Sequence, residues 1–411
     1  MWSRLFDKTA RNLVKIGTLH VVLPNAKEIT FGNGDAPIQR IRLHDWATVR
    51  RIAAQPELAL GEAYVDGTLT IENDDLCGLL ELAIMNRARD PKPTLLEQPT
   101  RLARRLMRRV AQFNPVGTAQ KNVAHHYDLS GQLYELFLDA DRQYSCAYFR
   151  HPDDSLEEAQ LQKKRHIARK LLIEPGMRVL DIGCGWGGMA ITLAQEFGAR
   201  VVGVTLSREQ HAVATERVRQ LGLESQVDIR LQDYRHVEET FDRIVSVGMF
   251  EHVGAPHFDE YFEHVHRMLD KDGVALIHTI GRSTPPGSTN PWIAKYIFPG
   301  GYCPAMSETM SAVEHQDLVA MDVEVWRLHY AETLKHWHDR FVARIDEARA
   351  IYDERFCRMW RFYLIGCELT FRYDHLAVFQ FQLGKKLDAA PVTRDYLYPH
   401  NQTAEIRHAA E

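Results

Sequence analysis

The run Val179-Leu180-Asp181-Ile182-Gly183-Cys184-Gly185-Trp186-Gly187-Gly188 carries the residue types and spacing most suited to chemistry. Apolar residues lead into a glycine cluster, and a helical pattern follows from Met189 to Phe197. Buried strand, tight turn and helix start is the order a nucleotide-type cofactor needs. Glycine admits positive φ and lets a ligand approach where a Cβ would stand. The helix amino end then offers free N–H groups. Many strand-to-helix turns carry glycines for packing alone, so the turn by itself leaves both readings open. Asp181, at the strand's end, either caps the turn or faces the cationic end of a ligand.

The elements that must position this turn follow a regular alternation. Strands are expected at Met177 to Ile182, Arg200 to Leu206, Val227 to Leu231, Asp242 to Gly248 and Gly273 to Ile280, with helices at Ser207 to Leu221 and Pro256 to Leu269. Such alternation predicts a Rossmann-like α/β domain, a parallel sheet with helices on both faces. Ligands of these sheets bind outside the carboxyl ends of the strands. Gly183, Thr205, Gln232, Asp233, Glu251 and His278 all fall near or just past such ends, and should meet on one rim. The acid that usually holds ribose hydroxyls after the second strand is missing from Val204-Thr205-Leu206-Ser207. Thr205 and Gln210 offer a hydroxyl and an amide instead. The same stretch reads as a capping box, with Ser207 as N-cap and Gln210 at N3, and the two roles can coexist. Without the acid a nicotinamide cofactor is disfavoured.

A length of 411 residues suggests two domains. The net charge of −5 implies no bulk attraction to nucleic acid. Six cysteines without a CxxC pair argue against zinc or a disulfide framework, and free thiols fit a reducing cytoplasm. The adjacent His125 and His126 have no facing carboxylate or thiol at workable spacing, so no metal site is assigned. No apolar run approaches ~20 residues, and no signal-type segment begins the chain. Residues 1–95 read as a small α+β module: a basic amphipathic helix from Trp2 to Ile16, strands at Leu19 to Leu23 and Ile38 to Leu43, and helices near Asp45 to Ala54 and Asp75 to Ile84. A basic linker helix spans 96–121, with Arg101, Arg104, Arg105, Arg108 and Arg109 opposite an apolar stripe. Both basic helices could touch lipid headgroups; equally, the first could pack on its own domain and the second could be a solvated connector. Residues 122–400 form the main domain. Between His278 and Tyr330 an apolar stretch, Pro291 to Gly300, is a candidate tunnel wall or a buried structural arm.

The spacing Asp-x-Gly-x-Gly-x-Gly resembles motif I of the S-adenosylmethionine (SAM)-dependent methyltransferases. Taken with Gln143 to Tyr148, Gly203 to Gln210, Leu231 to Tyr234, Ser246 to Gly254 and His278 to Gly281, the chain resembles the cyclopropane-fatty-acyl-phospholipid synthases and the related mycolic acid cyclopropane synthases, from about residue 115 to 385. The resemblance implies a class I SAM methyltransferase domain beside the smaller N-terminal α+β domain. It implies that Tyr144, Ser145, Asp181, Gly183, Gly185, Gly187, Thr205, Ser207, Gln210, Gln232, Asp233 and Tyr234 surround SAM. It further implies a bound bicarbonate as proton acceptor, held by Cys146, Glu251, His278, Tyr330 and Cys367, with Glu251 as orienting acceptor. Cys367 matches least well: Glu368 stands where relatives usually have a small residue, and Cys357 lies a short way upstream. The implied reaction is methylene transfer to the cis double bond of an unsaturated acyl chain in a membrane phospholipid, by a homodimer associated peripherally with the inner face of the membrane. A methyltransferase making a methyl branch or an N-methyl group, and a lipid-binding module with a vestigial catalytic domain, are the competing readings. The aromatic residues at helical spacing from Phe356 to Tyr373 are assigned no role.

Overall fold

The computed structural model describes residues 2–89, 112 and 131–398. The linker helix expected over 96–121 and the pair His125-His126 therefore lie outside the described residues. The N-terminal part is built on a four-stranded sheet ordered β2-β1-β3-β4, with β1 Thr18–Val22, β2 Glu28–Gly32, β3 Ile38–Leu43 and β4 Leu69–Ile71. β3 shows how sequence alternation becomes burial: Gln39, Ile41 and Leu43 point inward and Ile38, Arg40 and Arg42 outward. Asp45 caps the next helix, Trp46–Ala54, by accepting from Thr48 N at 2.7 Å. The helix Trp2–Leu13 turns Phe6, Thr9 and Ala10 into this domain's own core, where Phe6 meets Phe31 edge-on at 6.1 Å. Its apolar face is therefore occupied from within. The helix Pro56–Val65, unexpected from periodicity, buries six residues around its circumference and so shows no 3.6-residue stripe.

The larger part is a seven-stranded sheet ordered β10-β11-β9-β8-β5-β6-β7. The strands are β5 Arg178–Ile182, β6 Arg200–Thr205, β7 Val227–Leu231, β8 Phe241–Val247, β9 Leu269–Arg282, β10 Val319–Trp326 and β11 Leu376–Gly384. β5 to β9 pair in parallel, as the alternation predicts. β11 runs against both β9 and β10, so the sheet is mixed rather than parallel throughout. Two strands thus come from the segments beyond the alternation, joined by long helices. β9 is also longer than expected, because β11 pairs with it as far as Arg282. His278 therefore sits inside a strand, four residues before its end, and pairs with Val247, the last residue of β8, at the carboxyl edge of the parallel strands.

The glycine turn lies where the sequence places it. Gly183, Gly185 and Gly187 have φ of 79°, 55° and 83°, in the region that a side chain disfavours. Gly183 N and Cys184 N donate to Val204 O at 2.9 and 3.0 Å, tying the turn to β6. Ser207 caps the helix Arg208–Gln220, accepting from Gln210 N at 3.3 Å. No helix among the described residues is long and apolar enough to cross a membrane.

Candidate active site

A cavity of about 820 Å³ opens beside the carboxyl edge of the sheet. Cys146, Glu251, His278, Tyr330 and Cys367 all line it, as do Tyr144 and Ser145. They arrive from separate elements: the loop before the helix Leu156–Lys170, the turn after β8, the body of β9, and the helices His329–Ala343 and Glu354–Tyr373.

Glu251 is the cavity's buried acid. Its Oε1 accepts from Ile280 N at 2.6 Å, and its Oε2 has no partner among the described residues. Burial pushes its carboxyl up to about 7, with the Ile280 N–H working the other way. His278 is 2% exposed, and burial holds it well below the usual imidazole range, so the ring is neutral. With the Gln380 amide nitrogen donating to Nδ1 at 3.0 Å, the ring proton is on Nε2, which is left as a donor. The Tyr330 hydroxyl is raised by burial and by the charges that Tyr144, Cys146, Glu251 and Cys367 would carry. Cys146 is fully buried with its thiol pushed up, and Cys367 is raised to about 12 by burial. Neither is a thiolate near neutrality. Cys357 is buried in the helix against Ile345 O, and Glu368 pairs with Arg372 at 2.9 Å; neither lines the cavity.

The residues expected around SAM sit on the same edge but not all in the cavity. Gly183 abuts the Glu251 segment, since a Cβ on it would stand 3.0 Å from Met249. Asp181 is 1% exposed, its Oδ2 lacks a partner among the described residues, and burial raises it to about 7 while Lys163 opposes. It does not cap the turn. Thr205 Oγ1 donates to Gln210 Oε1 at 2.9 Å and accepts from Ser207 N at 3.2 Å, so this trio is held together. Gln232 joins it through its backbone N to Thr205 O at 3.1 Å, while its side chain donates to His236 O. Asp233 accepts from Arg235 Nε at 2.9 Å and is held below the usual carboxylate range chiefly by that guanidinium against the cost of burial. Tyr234 packs edge-on to Tyr261 at 5.5 Å.

Several cavity residues escaped the sequence reading. Tyr363 meets Tyr144 hydroxyl to hydroxyl at 2.9 Å; it lies four residues before Cys367 on one helix, a spacing that could have found it. Cys303 and Arg282 line the cavity with no motif to announce them. Lys163, fully buried, donates to Gln143 Oε1 at 2.9 Å and Ser145 Oγ at 2.8 Å. The N-terminal sheet and helices contribute Phe6, Ala10, Ile41, Ile52 and Leu82 to the wall. The two parts are joined through the buried Glu62, which accepts from Arg51, from Lys295 Nζ at 2.6 Å and from Tyr296 Oη at 2.8 Å.

Residues 116–381 match the mycolic acid cyclopropane synthetase family. The chain belongs to that family. Residues 5–89 match a domain of unknown function. The cyclopropane-fatty-acyl-phospholipid synthase of Escherichia coli K12 is 39% identical over 358 residues, covering 87% of this chain and 90% of the relative. A probable fatty acid methyltransferase of Pseudomonas putida is 35% identical over 385 residues, 90% of this chain and 93% of its own. The crystal structure of mycolic acid cyclopropane synthase CmaA1 complexed with SAH and CTAB aligns with a TM-score of 0.61 and 34% identity, over 66% of this chain and 99% of that one. The protein is thus a SAM-dependent enzyme of the cyclopropane fatty-acyl synthase family, and its fold is the α/β methyltransferase sheet with an added N-terminal α+β part.

Proposed function

We propose that this enzyme transfers a methylene group from SAM to the cis double bond of an unsaturated acyl chain in a membrane phospholipid, forming a cyclopropane. The observation that carries the reading is the gathering of Cys146, Glu251, His278, Tyr330 and Cys367 on one cavity with Glu251 Oε2 buried and unpartnered. An alkene is a weak nucleophile, so the cavity must exclude water around a strongly electrophilic methyl group. Asp181, buried and without a partner for Oδ2 among the described residues, suits the ammonium of the donor's methionine end. Tyr144 and Ser145 reach from the donor side to the cavity, and Lys163 holds Ser145 in place. Gly185 leaves the backbone open to the ligand, Gly183 and Gly187 supply the positive φ that the turn needs, and the Thr205, Ser207, Gln210 and Gln232 to Tyr234 positions complete the rim.

The residue set also fits a bicarbonate ion. When bound, bicarbonate supplies a proton acceptor for ring closure. His278 Nε2–H and the Tyr330 hydroxyl are donors for an anion, and Glu251, poised near neutrality, can share its proton with one. The raised thiols of Cys146 and Cys367 stay neutral and leave the cavity's charge to these groups. As domains we propose 1–95 for lipid association, 96–121 as a basic connector suited to headgroups at a membrane surface, and 122–400 for catalysis, acting as a homodimer.

Mass spectrometry of phospholipid incubated with protein and SAM tests the reaction. A mass gain of one methylene with ring-type fragments is the expected product. A methyl branch, an N-methyl group or unchanged lipid would each overturn it.

A further inference from the structure

The rim of the cavity holds a cation that the proposed reaction does not use. Side chains alternate along β9, so His278, Ile280 and Arg282 share a face, and all three line the cavity. Arg282 is half-buried at the strand's last position. Its guanidinium lies over the Tyr302 ring at 5.4 Å, and its Nε donates to Cys303 O at 3.0 Å. On the other side Gly287 closes in, since a Cβ there would stand 2.1 Å from Nη1. The group is therefore held in place while only its Nε–H is used, and no carboxylate pairs with it among the described residues. Of the cavity's other acids, Glu57 is paired with Arg87 at 2.7 Å. Asp374 is exposed, where solvent screens it, and accepts from His375 N at 2.8 Å. Ser283 N donates to His375 O at 2.9 Å, and the lining residues Asn290, Asp374 and His375 are exposed, so the cavity reaches solvent beside Arg282 and has a mouth there.

We propose that Arg282 binds the phosphate of the phospholipid at the cavity mouth, with the acyl chain running inward past Ile280 to Glu251 and His278. This rests on the reading of the cavity as an acyl-chain site. A fixed guanidinium with free N–H groups matches a phosphodiester's paired oxygens, and an unpaired half-buried cation gains from meeting an anion. Four residue steps along the strand lead from His278 to Arg282, a span of ~13 Å. An extended chain covers that in roughly eleven bonds at ~1.2 Å per bond. The interval includes the glycerol and ester linkage, so it places the reacting double bond in mid-chain and leaves one beside the ester out of reach.

The test compares wild type, Arg282→Gln and Arg282→Lys on dioleoyl phosphatidylcholine and on dioleoylglycerol, the same chains without phosphate, both in detergent micelles with labelled SAM. Arg282→Gln should lower the ratio of kcat/KM for phospholipid over diacylglycerol by ~10–100-fold, through KM, as expected for losing a charge-assisted pair. Arg282→Lys should restore part of that ratio. An unchanged ratio in Arg282→Gln overturns the proposal, even if both activities fall. If the wild type modifies neither lipid, the reaction itself is wrong, and calorimetric titration with dihexanoyl phosphatidylcholine decides the site alone: weaker binding by Arg282→Gln supports it, and equal binding overturns it.

Discussion

Glu251→Gln is expected to make the enzyme more stable and nearly inactive at once. The carboxyl, ordinarily near 4.5, is held up to about 7 by burial, with the Ile280 N–H opposing. Between those values the folded protein binds a proton that the unfolded chain has released, so stability falls as pH rises through the window. The cost is absent below 4.5 and complete above 7, where it amounts to ~3 kcal/mol at about 1.36 kcal/mol per pH unit. Glutamine has nearly the same shape, stays neutral throughout, and its carbonyl can accept the Ile280 N–H. Scanning calorimetry of the ligand-free protein should therefore find the variant more stable than wild type at pH 8, with the gap closing toward pH 4.5. Turnover should drop by ~10²–10⁴-fold, the usual scale for losing acid–base function. SAM affinity should change little, because the segment meets the glycine turn through Met249 rather than through Glu251. A variant less stable than wild type at pH 8, or one whose SAM affinity falls in step with turnover, would refute this reasoning.

Three further outcomes are expected. Asp181, raised to about 7, should pair with the donor's ammonium as carboxylate, so S-adenosylhomocysteine affinity should weaken as pH falls below 7. Asp181→Asn should bind it ~10–100-fold more weakly with that pH dependence gone, as read by calorimetric titration. Glu62→Gln removes the negative charge shared by Arg51 and Lys295; since their side chains are 45% and 55% exposed and can rehydrate, the loss should be only ~1–2 kcal/mol in denaturant unfolding, with faster proteolysis at 286–301. Gly187→Ala should cost ~1–2 kcal/mol because φ is 83° and the new Cβ would lie 3.1 Å from Ala214, a shift visible in the denaturant midpoint.

What the sequence by itself determined is whatever depends on short-range geometry. The glycine turn is legible because a positive φ at Gly183, Gly185 and Gly187 is a local demand, and Ser207 reads as a cap because its partner is three residues away. The five parallel strands are legible because each is a short apolar or alternating run between helical patterns. β10 and β11 are not, since both lie beyond the regular alternation and β11 is buried on both faces, leaving no alternation to read. The five cavity residues could be grouped from the chain only through family resemblance, because nothing local links Cys146 to Cys367. Tertiary structure alone decided that the N-terminal part walls the same cavity, that His278 sits within β9 with its tautomer set by Gln380, and that Arg282 stands at the mouth with no carboxylate partner among the described residues. The reason is that burial, partnering and a shared cavity are properties of residues hundreds of positions apart, and only the packed chain brings their solvation and charge into contact.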